Sequence, residues 1–249
     1  MNRFMYKIHR WLSIPFGVVI LVMCLTGAVL AFERELSGGN QTPQSNPTVE
    51  QKGKQSQRQG EGRPQQGVSS QHEGNPRQSA SHHKGRPQRS PFFMTMFKLH
   101  RWLMIDSPRE VSFSWGRTVT GATTIALILI LVSGLWLWMP IVRRRGLFGS
   151  LRIERHRGSY QLWRTLHITL GVVSVAFLLT MAVTGLYWTF SLDPILHLDK
   201  GFILGLHTGR IGGLPLRLLF MGSALVGIFL VISGYWLWLK KKYRKVGIV

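Results

Sequence analysis

Four stretches of this chain, at 11–32, 119–139, 166–190 and 214–239, stay apolar for about twenty residues or more, the length at which an α-helix crosses a bilayer. None carries a charge in its middle, and Arg217 sits near one end of the fourth. An all-α membrane protein with four transmembrane helices is therefore expected. Averaged over the chain the hydropathy is only slightly positive, because one long polar stretch dilutes the four apolar ones.

The four stretches are two copies of a pair. Thr26-Gly27 follows His9 at 17 and 18 residues, and Thr184-Gly185 follows His167 at the same spacing. LVSGLWLW at 131–138 matches VISGYWLW at 231–238, and each copy also carries Leu-His ahead of its second stretch, at Leu99-His100 and Leu206-His207. The expected fold is two tandem two-helix repeats, with a histidine at the corresponding end of every span. Histidines so placed are what a bundle uses to hold a cofactor between its helices.

Cations set the expected orientation, since short loops rich in Lys and Arg stay cytoplasmic. Arg3, Lys7 and Arg10 precede the first span, seven arginines fill 141–164, and five Lys or Arg residues close the chain at 240–249. Both termini and the middle loop are expected inside. The spans are placed at 1–36, 118–140, 165–191 and 214–239, with an outer loop at 192–213. The tract 37–91 is Gln, Gly, Ser, Pro and Arg with almost no aliphatic residue, so it cannot bury enough apolar surface to order itself. It is expected to be a disordered outer loop, its His72, His82 and His83 solvated. Segment 92–117 begins FFMTMFKLHRWLMI, the pattern of a short helix lying at the outer membrane surface.

The net charge of +21 would otherwise suggest nucleic-acid binding, but the densest clusters border helix ends, where topology accounts for them. No nucleic-acid partner is expected. A cleaved signal peptide over the first stretch is the less favoured reading, because that stretch exceeds the usual 7–15 residues. Cys24 is the only cysteine, so there is no disulfide framework, no thiolate cluster and no CxxCH for covalent haem. The chemistry must come from histidine or not exist.

At about 1.5 Å per residue, the Thr-Gly steps fall near the outer face, beside His100 and His207, and the Ser-Gly steps fall near the inner face, beside His9 and His167. Two haem pockets are the expectation, ligated by His9 with His167 and by His100 with His207. Gly27, Gly185, Gly134 and Gly234 would let a flat macrocycle lie against helix backbone. Arg10, Arg101, Arg164, Arg210 and Arg217 are candidate partners for propionate carboxylates. Trp11, Trp102, Trp136, Trp138, Trp163, Trp236 and Trp238 mark the interfaces. The bland alternative is that the histidines sit in the headgroup layer and the glycines only mediate helix packing. His156 and His197 are read as non-ligands.

KIHRWL at 7–12 with its later TGA, LHRWL at 99–103, LHITLG at 166–171 with TGLYW, and SGLWLW before an arginine cluster resemble the PepSY-associated transmembrane family. That family includes iron-regulated inner-membrane proteins and FoxB-like ferric-siderophore reductases. The resemblance implies a bacterial inner-membrane protein holding two b-type haems, an electron donor such as quinol or a cytoplasmic reductase, and ferric iron or a ferric chelate as acceptor. It implies an oxidoreductase whose medium is the lipid bilayer, and it leaves a homodimer open. This chain departs from larger members in having the polar tract where they carry folded PepSY regions, which removes a preformed siderophore pocket. Two other classes remain on sequence grounds: a membrane scaffold without catalysis, and a cytochrome subunit that passes electrons to a partner protein.

Overall fold

The computed structural model describes residues 3–36, 90–105, 114–156 and 158–246. The tract expected to be disordered, with His72, His82 and His83, lies outside the described residues except at its last positions, and so does Arg157. Among the described residues the chain is all α. The helices are α1 Arg3–Ala31, α2 Glu33–Leu36, α3 Pro91–Trp102, α4 Trp115–Ser150, α5 Ser159–Thr189, α6 Asp193–Leu196, α7 Lys200–His207 and α8 Gly213–Val246, with a 3-10 turn at Arg210–Gly212 before α8.

Helices α1, α4, α5 and α8 are long and apolar enough to cross a membrane, and their surfaces say the same. Val18 is 63% exposed, Val132 50% and Val173 61%, an outward apolar belt that water would not tolerate. What the helices bury against one another is small and hydroxylated: Thr26, Thr120, Thr123, Ser133, Ser174, Thr184 and Ser233. Small side chains let helices approach where lipid offers no hydrophobic drive toward association. Most of these hydroxyls are returned to their own helix, as in Thr123 to the Val119 carbonyl at 2.8 Å and Ser174 to that of Leu170 at 2.8 Å, so none is left unpaired in the bundle. The chain is a multi-pass membrane protein.

The spans close into a ring in which α1 packs on α4 and α8, and α5 packs on the same two. Each repeat is thus an adjacent pair, α1 with α4 and α5 with α8, and the repeats meet along α1–α8 and α4–α5. The short helices repeat the scheme. Helix α3 leans on α1 and α4, and α7 leans on α5. Both short helices begin at a capping side chain: Ser90 accepts from the Phe93 amide at 3.5 Å ahead of Pro91, and Asp199 accepts from the Phe202 amide at 2.6 Å. Gly116 sits so close beneath the end of α3 that any side chain there would run into the carbonyls of Trp102 and Ile105.

Two segments read as loops are helical. The basic segment at 141–164 begins as a continuation of α4 through Pro140, breaks at Gly146 (φ 70°, ψ 172°) and turns back at Ser150, where the Trp138 indole donates to the Ser150 hydroxyl at 3.1 Å. Hydropathy ends where the arginines begin, but the backbone hydrogen-bond ladder does not. The segment at 192–213 contains α6, α7 and the 3-10 turn, and α7 carries His207.

Candidate functional site

His9 on α1 and His167 on α5 face each other near the end of the bundle that carries the chain termini, with ring centres 6.4 Å apart and planes at 87°. His100 on α3 and His207 on α7 do the same at the far end, again 6.4 Å apart, with planes at 63°. Each pair therefore takes one histidine from each repeat. Two imidazoles that approached one metal through Nε2 from opposite sides, with bonds of about 2.0–2.1 Å, would hold their ring centres about 6.3 Å apart. Among the described residues no group of three or more His, Cys, Asp or Glu could hold a bare ion. Two facing imidazoles would instead suit a metal whose other positions a macrocycle fills.

The hydroxyl-glycine steps explain how each ring is held. His9 Nδ1 lies 3.0 Å from the Ile130 carbonyl and 3.2 Å from the Ser133 hydroxyl, and His100 Nδ1 lies 3.1 Å from the Met23 carbonyl and 3.0 Å from the Thr26 hydroxyl. His167 Nδ1 meets the Ser233 hydroxyl at 2.8 Å, and His207 Nδ1 meets that of Thr184 at 2.9 Å. Carbonyls only accept, so Nδ1 of His9 and His100 carries the proton. The Thr184 and Ser233 hydroxyls spend their own protons on the Thr180 and Leu230 carbonyls at 2.6 and 3.2 Å, so they accept from the other two rings. All four Nε2 atoms are left with a free lone pair, the state a metal ligand needs.

The neighbouring glycines seat the rings. A Cβ on Gly27 would lie 3.2 Å from His100 Cε1, one on Gly134 3.4 Å from His9 Cε1, and those on Gly185 and Gly234 3.6 Å from Cε1 of His207 and His167. Each of the four glycines thus lies against the edge of an imidazole. Every ring docks on a span of its own repeat, while its partner comes from the other repeat. At the far end, burial pushes His207 down to about 4, with the nearby His100 adding to the effect, and burial likewise lowers His100 against the opposing pull of the Met23 carbonyl. Both remain neutral at physiological pH.

A cavity of about 390 Å³ opens between the four spans at the His9–His167 end. It is lined by both rings, by Gly134 and Gly234, and by Ile20, Cys24, Leu178 and Gly227 deeper in, and its volume lies in the range of cofactor sites. Tyr6, Arg10, Tyr160, Arg164 and Lys241 line it as well, and Lys241 donates to the Tyr6 hydroxyl at 3.1 Å. Arg10 and Arg164 are thus where carboxylates of a bound group could meet them; Lys241 and Tyr6 join them, hidden from sequence reading because they lie at opposite ends of the chain.

The other arginines divide. Arg101 stacks on the Trp102 ring at 5.0 Å, beside His100. Arg210 precedes α8 at the far end. Arg217, expected as a propionate partner, is instead committed to the protein: one guanidinium nitrogen donates to the Ala31 carbonyl at 2.6 Å and to Glu35 at 2.9 Å. Of the aromatic residues, Trp163 stacks on Phe229 and lies tilted against Trp236, while Trp11 and Trp136 face outward at 64% and 54% exposure. His156 and His197 are exposed and belong to neither pair.

A four-span membrane bundle with a histidine pair at each end has the layout of a membrane b-type cytochrome. The PepSY-associated TM region matches residues 6–197 and 200–241, and the chain belongs to that family. No curated protein and no solved structure matches it.

Proposed function

We propose that the chain is a two-haem, b-type electron carrier of the bacterial inner membrane that takes electrons from quinol or a cytoplasmic reductase and delivers them to Fe(III) or a ferric chelate outside. The observation that carries this reading is the pair of 6.4 Å histidine separations, each with Nδ1 tied down and Nε2 free. His9 with His167 and His100 with His207 would hold one haem b each, and bound iron porphyrin supplies one-electron redox chemistry. The chain's own part is to fix both rings from opposite repeats, to exclude water with apolar helix faces, and to offer Arg10, Arg164 and Arg101 near the ligands for carboxylates. The basic end is taken as cytoplasmic because Arg143, Arg144, Arg145 and the lysines at 240–242 cluster there. Along α1, 18 residues separate His9 from Gly27, which seats His100, so the pairs stand about 27 Å apart and both faces of the hydrocarbon layer are served.

Purified protein in sealed vesicles, with a membrane-impermeant reductant on the basic side and ferric citrate on the other, tests the reading. Fe(II) is expected to appear on the far side, and replacement of His9 or His207 by Ala is expected to slow it by at least tenfold. Fe(II) production no faster than in protein-free vesicles contradicts it.

A further inference from the structure

Among the described residues, the indole nitrogen of Trp188 is the buried side-chain polar atom that has no hydrogen-bond partner. An indole N–H can only donate, and a buried donor left unpaired loses its hydrogen bond to water without replacement, so native proteins seldom do it. Its position gives the orphan a meaning. Trp188 follows Thr184, which holds His207 Nδ1, by four residues, and follows Gly185, which seats His207 Cε1, by three. Residues three and four apart share a helix face, so Trp188 occupies the next turn of the surface that docks His207, nearer the far end.

The indole has a packed neighbour. Its ring packs edge-on against Tyr187 at 5.6 Å, and Tyr187 is itself buried with its hydroxyl on the Leu198 carbonyl at 3.2 Å. In the first repeat the residue four past Thr26 is Leu30, so this donor exists on one side of the far pair only. Arg101 and Arg117 stand at the same end of the bundle, which favours an anionic acceptor over a neutral one.

We propose that the Trp188 indole N–H donates a hydrogen bond to a carboxylate held at the far histidine pair. The proposal rests on the haem reading above, and two sources share its chemistry: a propionate of the bound porphyrin, or a carboxylate of the ferric chelate. A charge-assisted bond of this kind is short and strong in a site from which water is excluded.

The test compares holoprotein with Trp188→Phe, which keeps the ring and removes the donor. With a propionate as acceptor, one of the two haem potentials falls, by about tenfold in the Fe(III)/Fe(II) equilibrium or 59 mV for one electron, while the other stays put. With a chelate carboxylate, both potentials stay and the KM for ferric citrate rises about tenfold, while a ferric acceptor lacking carboxylates is reduced as before. Trp188→Gln restores a donor and is expected to restore whichever property was lost. Gln and Leu are alike in size, so the Trp188→Gln and Trp188→Leu pair carries the same comparison should the Phe variant not fold. Two haems retained with unchanged potentials and unchanged KM in the donor-less variants overturns the proposal alone. A wild-type chain that binds no haem overturns the reading beneath it.

Discussion

At the scale of single residues, the candidate centres are made by hydroxyls and glycines that never touch the metal position. The two docks at the terminal end are not equal: His9 keeps the Ile130 carbonyl if Ser133 is lost, whereas His167 Nδ1 rests on the Ser233 hydroxyl at 2.8 Å. Ser233→Ala is therefore expected to weaken cofactor retention by about 10–100-fold, and Ser133→Ala by distinctly less. Haem transfer rates to an apoprotein acceptor measure both. Equal effects would contradict the assigned hydrogen bonds. Glycine is similarly graded, since a Cβ at Gly27 stands 3.2 Å from the His100 ring and one at Gly185 stands 3.6 Å from that of His207. Gly185→Ala is expected to bind cofactor normally. Gly27→Val is expected to lose the far cofactor while keeping the near one, as read from the haem-to-protein ratio. The spacing that joins His9 to Thr26-Gly27 and His167 to Thr184-Gly185 is visible in the sequence, but which helix each glycine serves is not. That depends on the antiparallel register of neighbouring spans, and Trp188 escaped notice because an unpaired N–H exists only in three dimensions.

At the scale of elements, the spans were legible from apolar runs and the short helices were only half so. Helix α3 shows itself through FFMTMF and a preceding Ser-Pro, whereas α7 is eight residues long and its start depends on one Asp199 side chain. The end of α1 depends on a remote partner too. Arg217 of α8 donates to the Ala31 carbonyl and to Glu35 on α2, capping α1 from across the repeat boundary. The Arg217 hydrogen bond holds the Glu35 carboxyl below the usual carboxylate range, so its contribution to stability is complete above that range and is lost as pH falls through the depressed value. Glu35 is 41% exposed, which limits the effect to about 0–1 kcal/mol. Thermal unfolding in detergent is expected to show Glu35→Gln slightly less stable than the parent at pH 7, with the gap closing as pH falls through the depressed Glu35 value. A gap that widens on acidification would contradict the strap.

At the scale of the whole molecule, duplication does the organising. Each histidine leans on its own repeat and faces its counterpart from the other, so neither repeat can complete a centre by itself. This is why the repeat could be read from the sequence and the pairing inferred from it, while the route of each side chain could not. The buried hydroxyls and glycines of the ring leave little room for larger side chains between spans, and the apolar surface is given to lipid. The haem-to-protein ratio of the purified chain, measured by pyridine haemochrome beside the four single His→Ala variants, tests the central claim most directly. Two haems per chain, falling to about one in each of the four variants, is the predicted result. A colourless chain prepared with ample haem supply, or variants that all keep the parent ratio, would contradict it.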